Sequence, residues 1–185
     1  MKKTITFIFA LMMLSIANVS AQSLAGEWIA DEAFNKELNA AYTEEGISLS
    51  FGLDITEKTI TCQLFEKVVD GATTFDVAIT FPGTYTRKGK KVNATFYVAR
   101  SDFRVTNITS TNPDVKAGMA IDEMKEVFMR KMTEMLKEQQ GDNPQKLGTA
   151  LTGIFKEFTI KQLTESELSL FVEKGNRSQT FHFNR

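Results

Sequence analysis

Cysteine and histidine are scarce in this chain, and each scarcity removes a class of function. A single cysteine, Cys62, excludes an intramolecular disulfide, the cross-link on which many small secreted domains depend. A single histidine, His182, cannot build a His-rich zinc site, and no Cys or His cluster has metal-ligand spacing. No metal or other cofactor is therefore expected. Positive charge is not in excess either. The formal net charge is −1, and it falls to −3 without Lys2 and Lys3. Nucleic acid as a partner needs a basic face to neutralise phosphates, and none is expected here. The chain also lacks a Gly-x-Ser-x-Gly elbow, a phosphate-cradling glycine loop and a dinucleotide fingerprint.

What is present begins with an export signal. Lys2 and Lys3 precede an uncharged apolar run at residues 5–17, and Val19-Ser20-Ala21 places small residues at −3 and −1 of a signal-peptidase site. Residues 1–21 read as a cleaved signal peptide. The apolar run is shorter than the roughly 20 residues that span a bilayer, so no membrane anchor is expected. Position 22 is Gln, so the cysteine needed for bacterial lipid attachment is missing. The expected location is periplasmic or secreted. Residues 22–185 suit one domain with a full core. They contain no internal repeat, low-complexity tract or linker. Within residues 22–185, three Asn-x-Ser/Thr triplets, at Asn93, Asn107 and Asn176, read as chance in a bacterial context.

Period-two alternation dominates this domain. Ile47, Leu49, Phe51, Leu53 and Ile55 alternate with Ser48, Ser50, Gly52 and Asp54, the pattern of a strand with one buried and one wet face. Phe75, Val77, Ile79 and Phe81 repeat it, as do Val92, Ala94, Phe96 and Val98. Shorter versions surround Phe103, Phe158, Leu168 and Phe181. Asp70-Gly71, Lys88-Gly89 and Lys174-Gly175 supply hairpin turns. Pro82-Gly83 is expected to bend a long strand, because proline donates nothing to a neighbour.

Helical periodicity replaces this pattern at residues 32–44 and again across an insertion at about 113–156. Asn112-Pro113 and Asn143-Pro144 are both start signals. The first opens a helix through Gly141 and the second a shorter one, so a helical pair is predicted. Glu126 and Arg130 form an i,i+4 pair on its outer side. Met119, Met124, Met129, Met132 and Met135 crowd the 114–140 helix. Such a surface adapts to varied apolar shapes, which makes it a candidate partner face as well as core.

Few residues offer chemistry. Cys62 shares the apolar parity of Ile60 and Leu64 and reads as a buried thiol. His182 falls between Phe181 and Phe183 on the opposite, wet face. Asp54, Asp76 and Asp102 leave a paired-carboxylate hydrolase open by residue type alone. The surplus of fifteen Phe points to an aromatic core or an apolar cavity.

Gly26-Glu27-Trp28, directly after Leu24-Ala25, resembles the Gly-x-Trp signature opening the first strand of lipocalins and other calycins. Pro82-Gly83-Thr84-Tyr85 and the stretch from Leu163 to Leu170 are similar to small secreted lipocalin-like families of the Bacteroidetes. The resemblance implies that Gly26 and Trp28 are family positions, that Trp28 closes one barrel end, and that an apolar ligand occupies the interior. Two features depart from the pattern: the chain ends on a strand, and its helices come earlier, where they either cover the barrel mouth or fill it.

The expected fold is an antiparallel meander β-barrel, or strongly curved sheet, of eight to ten strands with an inserted helical pair. The competing architecture is a two-layer α+β open sheet. The expected core is Trp28, Leu49, Phe51, Leu53, Ile60, Leu64, Val77, Ile79, Phe96, Leu168, Leu170 and Phe181. The expected function is non-enzymatic binding of a small apolar or amphipathic ligand. Leu49, Phe51, Leu53, Val77, Ile79, Ala94 and Phe96 would line the interior, and Phe128 and Met132 would cap its mouth. Ala94 is small among large neighbours and should leave room. The alternatives are an interaction module with a filled barrel and a Met-rich partner face, and a hydrolase.

Overall fold

The computed structural model describes residues 22–42 and 46–185. The signal-peptide reading of 1–21 lies outside the described residues. Nine strands form one antiparallel sheet: β1 Gly26–Ala30, β2 Ile47–Ile55, β3 Thr59–Asp70, β4 Thr73–Lys88, β5 Lys91–Phe96, β6 Asp102–Ser110, β7 Glu157–Leu163, β8 Glu167–Lys174 and β9 Arg177–Asn184. Among the described residues, four α-helices accompany them: α1 Glu32–Tyr42, α2 Pro113–Met119, α3 Asp122–Gln140 and α4 Asn143–Ile154.

The sheet closes. Eight strands run in the cyclic order β1-β2-β3-β4-β5-β7-β8-β9, and β9 returns to β1 through Ile29 opposite Asn184 and Ala30 opposite Phe183. The fold is therefore an antiparallel barrel, lipocalin-like in architecture, and the open two-layer sheet is excluded. The ninth strand, β6, pairs only with β4. β4 is long enough to serve two partners in turn, β6 along residues 73–80 and β5 along 83–88. The exchange falls at Pro82. Its carbonyl accepts from Tyr97 N at 2.8 Å, so its missing N–H points to the side where the partner changes. No β3 ladder bond is lost. Gly83 follows because a Cβ there would meet Thr95 O at 2.5 Å. The hairpin glycines Gly71, Gly89 and Gly175 all have positive φ, as their turns require.

The inserted helices differ from the expected pair. The segment from Pro113 to Gln140 is two helices, broken where Ala120 caps α2 and Ile121 takes an extended conformation. Asn112 caps α2, accepting from Asp114 N at 2.9 Å. Gly118 weakens the last turn of α2. Ile121 N bonds Gly118 O at 3.3 Å, closing a tighter turn. α3 then covers the free edge of β6, where Thr133 Oγ1 accepts from Val105 N at 3.0 Å. An edge sheltered in this way is a poor template for aggregation. Glu126 and Arg130 are exposed, and they make no ion pair among the described residues.

α1 fills a gap in the wall. β1 pairs only with the 52–55 end of β2, so the rest of that edge needs another partner. Asn39 bonds Leu49 twice, accepting at its N–H and donating to its carbonyl, and Asn35 accepts from Phe51 N at 2.9 Å. Two asparagines one helical turn apart thus take the place of a strand.

The inward parity is buried over the middle of the barrel and becomes half-buried or exposed towards strand ends, as at Ile47, Val68, Tyr85 and Gln179. The expected core residues are 7% exposed or less, except Phe96, which is half-buried. Phe96 is the last residue of β5, and its ring lies across Gly83. Trp28 is fully buried, donates from Nε1 to Leu24 O at 3.0 Å, and carries the Arg185 guanidinium 4.3 Å above its ring. Arg185 also reaches the carbonyls of Ala25 and Glu165. These contacts fasten that part of the barrel.

Candidate functional site

Eight strands enclose just enough space to be filled by side chains or to hold one small ligand. Here the space is filled from within the chain. α4 ends at Phe155, whose ring enters the barrel. It stacks on Phe51 at 5.1 Å and meets Phe181 and Phe183 edge-on at 5.1 and 5.9 Å. Phe34 of α1 joins at 5.5 Å from Phe51. Above them Gly148 of α4 lies so close to Phe81 that a Cβ would stand 2.1 Å from the ring. Phe51, Leu53, Ile79, Phe81 and Phe155 leave no surface for a water to touch.

The expected ligand residues are therefore divided. Leu49, Phe51, Leu53, Val77 and Ile79 are brought together as packed core. Ala94 N donates to Lys156 O at 2.8 Å, in the turn from α4 into β7. A cleft of about 380 Å³ lies at Ala94, lined also by Ile154, Lys156 and Val172, away from Leu49, Phe51 and Leu53. Phe128 and Met132 do not cap the barrel mouth. They belong to α3, which packs along β6, and α4 with Phe155 supplies the plug instead.

Phe128 does line a cavity, in a different place. The break at Ile121 folds α2 back against α3 and leaves a groove of about 620 Å³. Its walls are Val115, Met119, Met124, Val127 and Phe128, with Gly118 between them and Asp114, Glu123 and Lys131 at the rim. Ile121, Met124, Val127 and Met135 are 38–53% exposed, and Met124 and Val127 among them line the groove.

A second position was missed in the sequence. Glu66 occupies the apolar parity of β3 after Ile60, Cys62 and Leu64 and is only 7% exposed. The signal was visible as a glutamate in register with core residues. Its carboxylate accepts from Gln140 Nε2 at 2.8 Å. Burial pushes its pKa up, and the Gln140 bond partly offsets that.

The catalytic candidates do not converge. Asp54 pairs opposite Thr61 and Asp76 opposite Lys67, about 20 Å apart along β3. Asp76 accepts from Asn107 and Asp102 pairs with Arg104. Glycosidase carboxylates need a separation below about 10 Å. His182 does have a serine partner, since Ser169 Oγ lies 2.9 Å from its Nδ1, but that serine is only 6% exposed. Cys62 is fully buried with its thiol pKa raised by desolvation, the condition of an unreactive thiol. Among the described residues no helix is long and apolar enough to cross a membrane, and no three His, Cys, Asp or Glu form a metal-binding group. A scan against protein-family models finds no match, and a search of curated proteins finds no significant one.

Proposed function

We propose that this is an exported, non-enzymatic binding protein whose small apolar or amphipathic ligand lies in the α2–α3 groove, outside a filled barrel. The observation that carries this reading is the groove itself. Its volume of about 620 Å³ falls within the roughly 300–1,000 Å³ typical of small-molecule sites. Its walls are methionine, valine and phenylalanine, and methionine repacks around different shapes. The charges stand at the rim, where the polar end of an amphipathic molecule would lie. Export rests on the features of residues 1–21, and the implied setting is the periplasm or the medium. The lipocalin-type likeness of Gly26 and Trp28 supports a binding role, with the ligand displaced from the interior by Phe155.

Titration with the apolar fluorophore N-phenyl-1-naphthylamine tests this. Gly118→Leu fills the groove from a position where a Cβ has only an ordinary contact, 3.9 Å from Met124 Cε. It should abolish probe binding without lowering stability. Ala94→Phe should leave binding intact. Binding that survives Gly118→Leu but is lost in Ala94→Phe would return the site to the barrel. Native mass spectrometry of protein drawn from its own periplasm should show a retained small mass.

A protein partner is the second reading, favoured by Met135. It is 38% exposed on α3 but lies outside the groove, so the apolar stripe is longer than a small ligand needs. Met135→Lys would weaken such a partner and leave the fluorophore unaffected.

A further inference from the structure

We propose a second binding site, for a protonated amine with an apolar body, in the cleft between the β2–β3 edge and the α3–α4 corner. The cleft holds about 410 Å³ and is walled by Ile47, Leu49, Val68, Leu136, Pro144 and Leu147. Glu66 lines it and is 7% exposed. One carboxylate oxygen accepts from the neutral Gln140 amide at 2.8 Å, and the carboxylate makes no other hydrogen bond or ion pair among the described residues.

A buried carboxylate is costly unless a partner compensates it. Gln140 supplies one hydrogen bond and no charge. Lys146 lines the same cleft, but its side chain is exposed and makes no ion pair with a described carboxylate. No described side-chain oxygen is both buried and unpartnered, so the second Glu66 oxygen opens onto the cleft, where an entering group can replace water at it. An ammonium group supplies both the opposite charge and hydrogen-bond donors for the open oxygen, and such charge-assisted bonds are among the strong ones. Leu49, Val68, Leu136 and Leu147 are placed to take the hydrocarbon attached to it. An anion would meet the Glu66 charge, and a neutral alcohol would leave it uncompensated. The site is separate from the α2–α3 groove: Val127 and Leu136 are nine residues apart on α3, about 14 Å. It stands or falls independently of the function proposed for that groove.

The test is titration with n-hexylamine at neutral pH, followed by amide chemical shifts, beside 1-hexanol and hexanoate at equal concentrations. Hexylammonium should shift the amides of Leu49, Glu66, Leu136 and Leu147. Hexanol and hexanoate should bind there at least about ten-fold more weakly, the loss expected for a charge-assisted hydrogen bond. Glu66→Gln keeps the shape and the Gln140 contact, and it should weaken hexylammonium by a similar factor. Val68→Phe narrows the cleft without altering charge and should block the amine even if Glu66→Gln fails to fold. The proposal is overturned if hexanol binds as well as hexylammonium, if Glu66→Gln binds the amine unchanged, if Val68→Phe still binds it in the same place, or if hexylammonium leaves these amides unmoved.

Discussion

Phe155 is the residue on which the filled interior depends. It contacts Phe34, Phe51, Phe181 and Phe183 at ring separations of 5.1–6.4 Å. Truncating a buried Phe costs about 3–5 kcal/mol, through lost transfer energy and the cavity left behind. Phe155→Ala should lose that much in urea denaturation, and the emptied space should bind benzene, as apolar cavities do. A loss below about 1 kcal/mol would mean that the ring is not packed as described. Glu66 makes an opposite kind of contribution. Burial raises its folded-state pKa above the ordinary glutamate value. The folded protein therefore holds that proton more tightly than the unfolded chain does. The resulting stabilisation is present below the unfolded pKa and is lost as pH rises through the folded one. Glu66→Gln lacks this dependence. Its stability relative to the natural chain should increase with pH across that window, measured by denaturation at successive pH values. A constant difference would show that the carboxylate is solvated in the folded state.

At the scale of elements, the helices act by substituting for strands and by filling space. Asn35 and Asn39 bond the free backbone of Leu49 and Phe51. Replacing Asn39 with Leu leaves that strand edge unsatisfied, at a cost of about 1–3 kcal/mol, read as a lower unfolding midpoint. Gly148 lets α4 lie against Phe81, and a Cβ would stand 2.1 Å from the ring. Gly148→Ala should therefore destabilise by about 1–3 kcal/mol, although alanine is the better helix former. Calorimetry showing a gain would mean that α4 can move away. The strands were legible in the sequence because each has one buried face, and burial of one face imposes period two. The Asn112-Pro113 start was legible because capping is local. The break at Ile121 was not, since it rests on a weakened helix end and on how α2 packs back on α3. The aromatic plug was not legible either. Periodicity shows that Phe155 is apolar, but not that the end of α4 points into the barrel. The same limit explains Phe128 and Met132: the helix that carries them was legible, and the surface it covers was not. Asn35 and Asn39 looked like ordinary polar helix residues, because their partners lie on another element.

The whole molecule is closed by ladders of very unequal length. β3 and β4 pair over residues 59–70 and 73–84, whereas β1 meets β9 at only two residue pairs and β5 meets β7 at three. Short ladders open at lower free energy than long ones. Amides at the β1–β9 and β5–β7 seams should therefore exchange sooner than those of β3 and β4. Cys62 offers an independent measure, because it lies inside the long ladder, between Leu53 of β2 and Phe81 of β4. Its thiol is buried, and burial raises its pKa, so a reagent such as 5,5′-dithiobis(2-nitrobenzoate) meets neither an accessible sulfur nor a thiolate in the native state. If opening of the seams leaves β2, β3 and β4 together, Cys62 should be labelled only when the whole barrel unfolds. The labelling rate should then follow the global unfolding equilibrium across a urea series, with the same dependence on denaturant. The seam amides should exchange with a much weaker dependence, because their opening exposes little surface. If Cys62 were labelled in water as fast as the seam amides exchange, opening at the seams would reach the core. The barrel would then be a set of separable sheets and not a single cooperative unit.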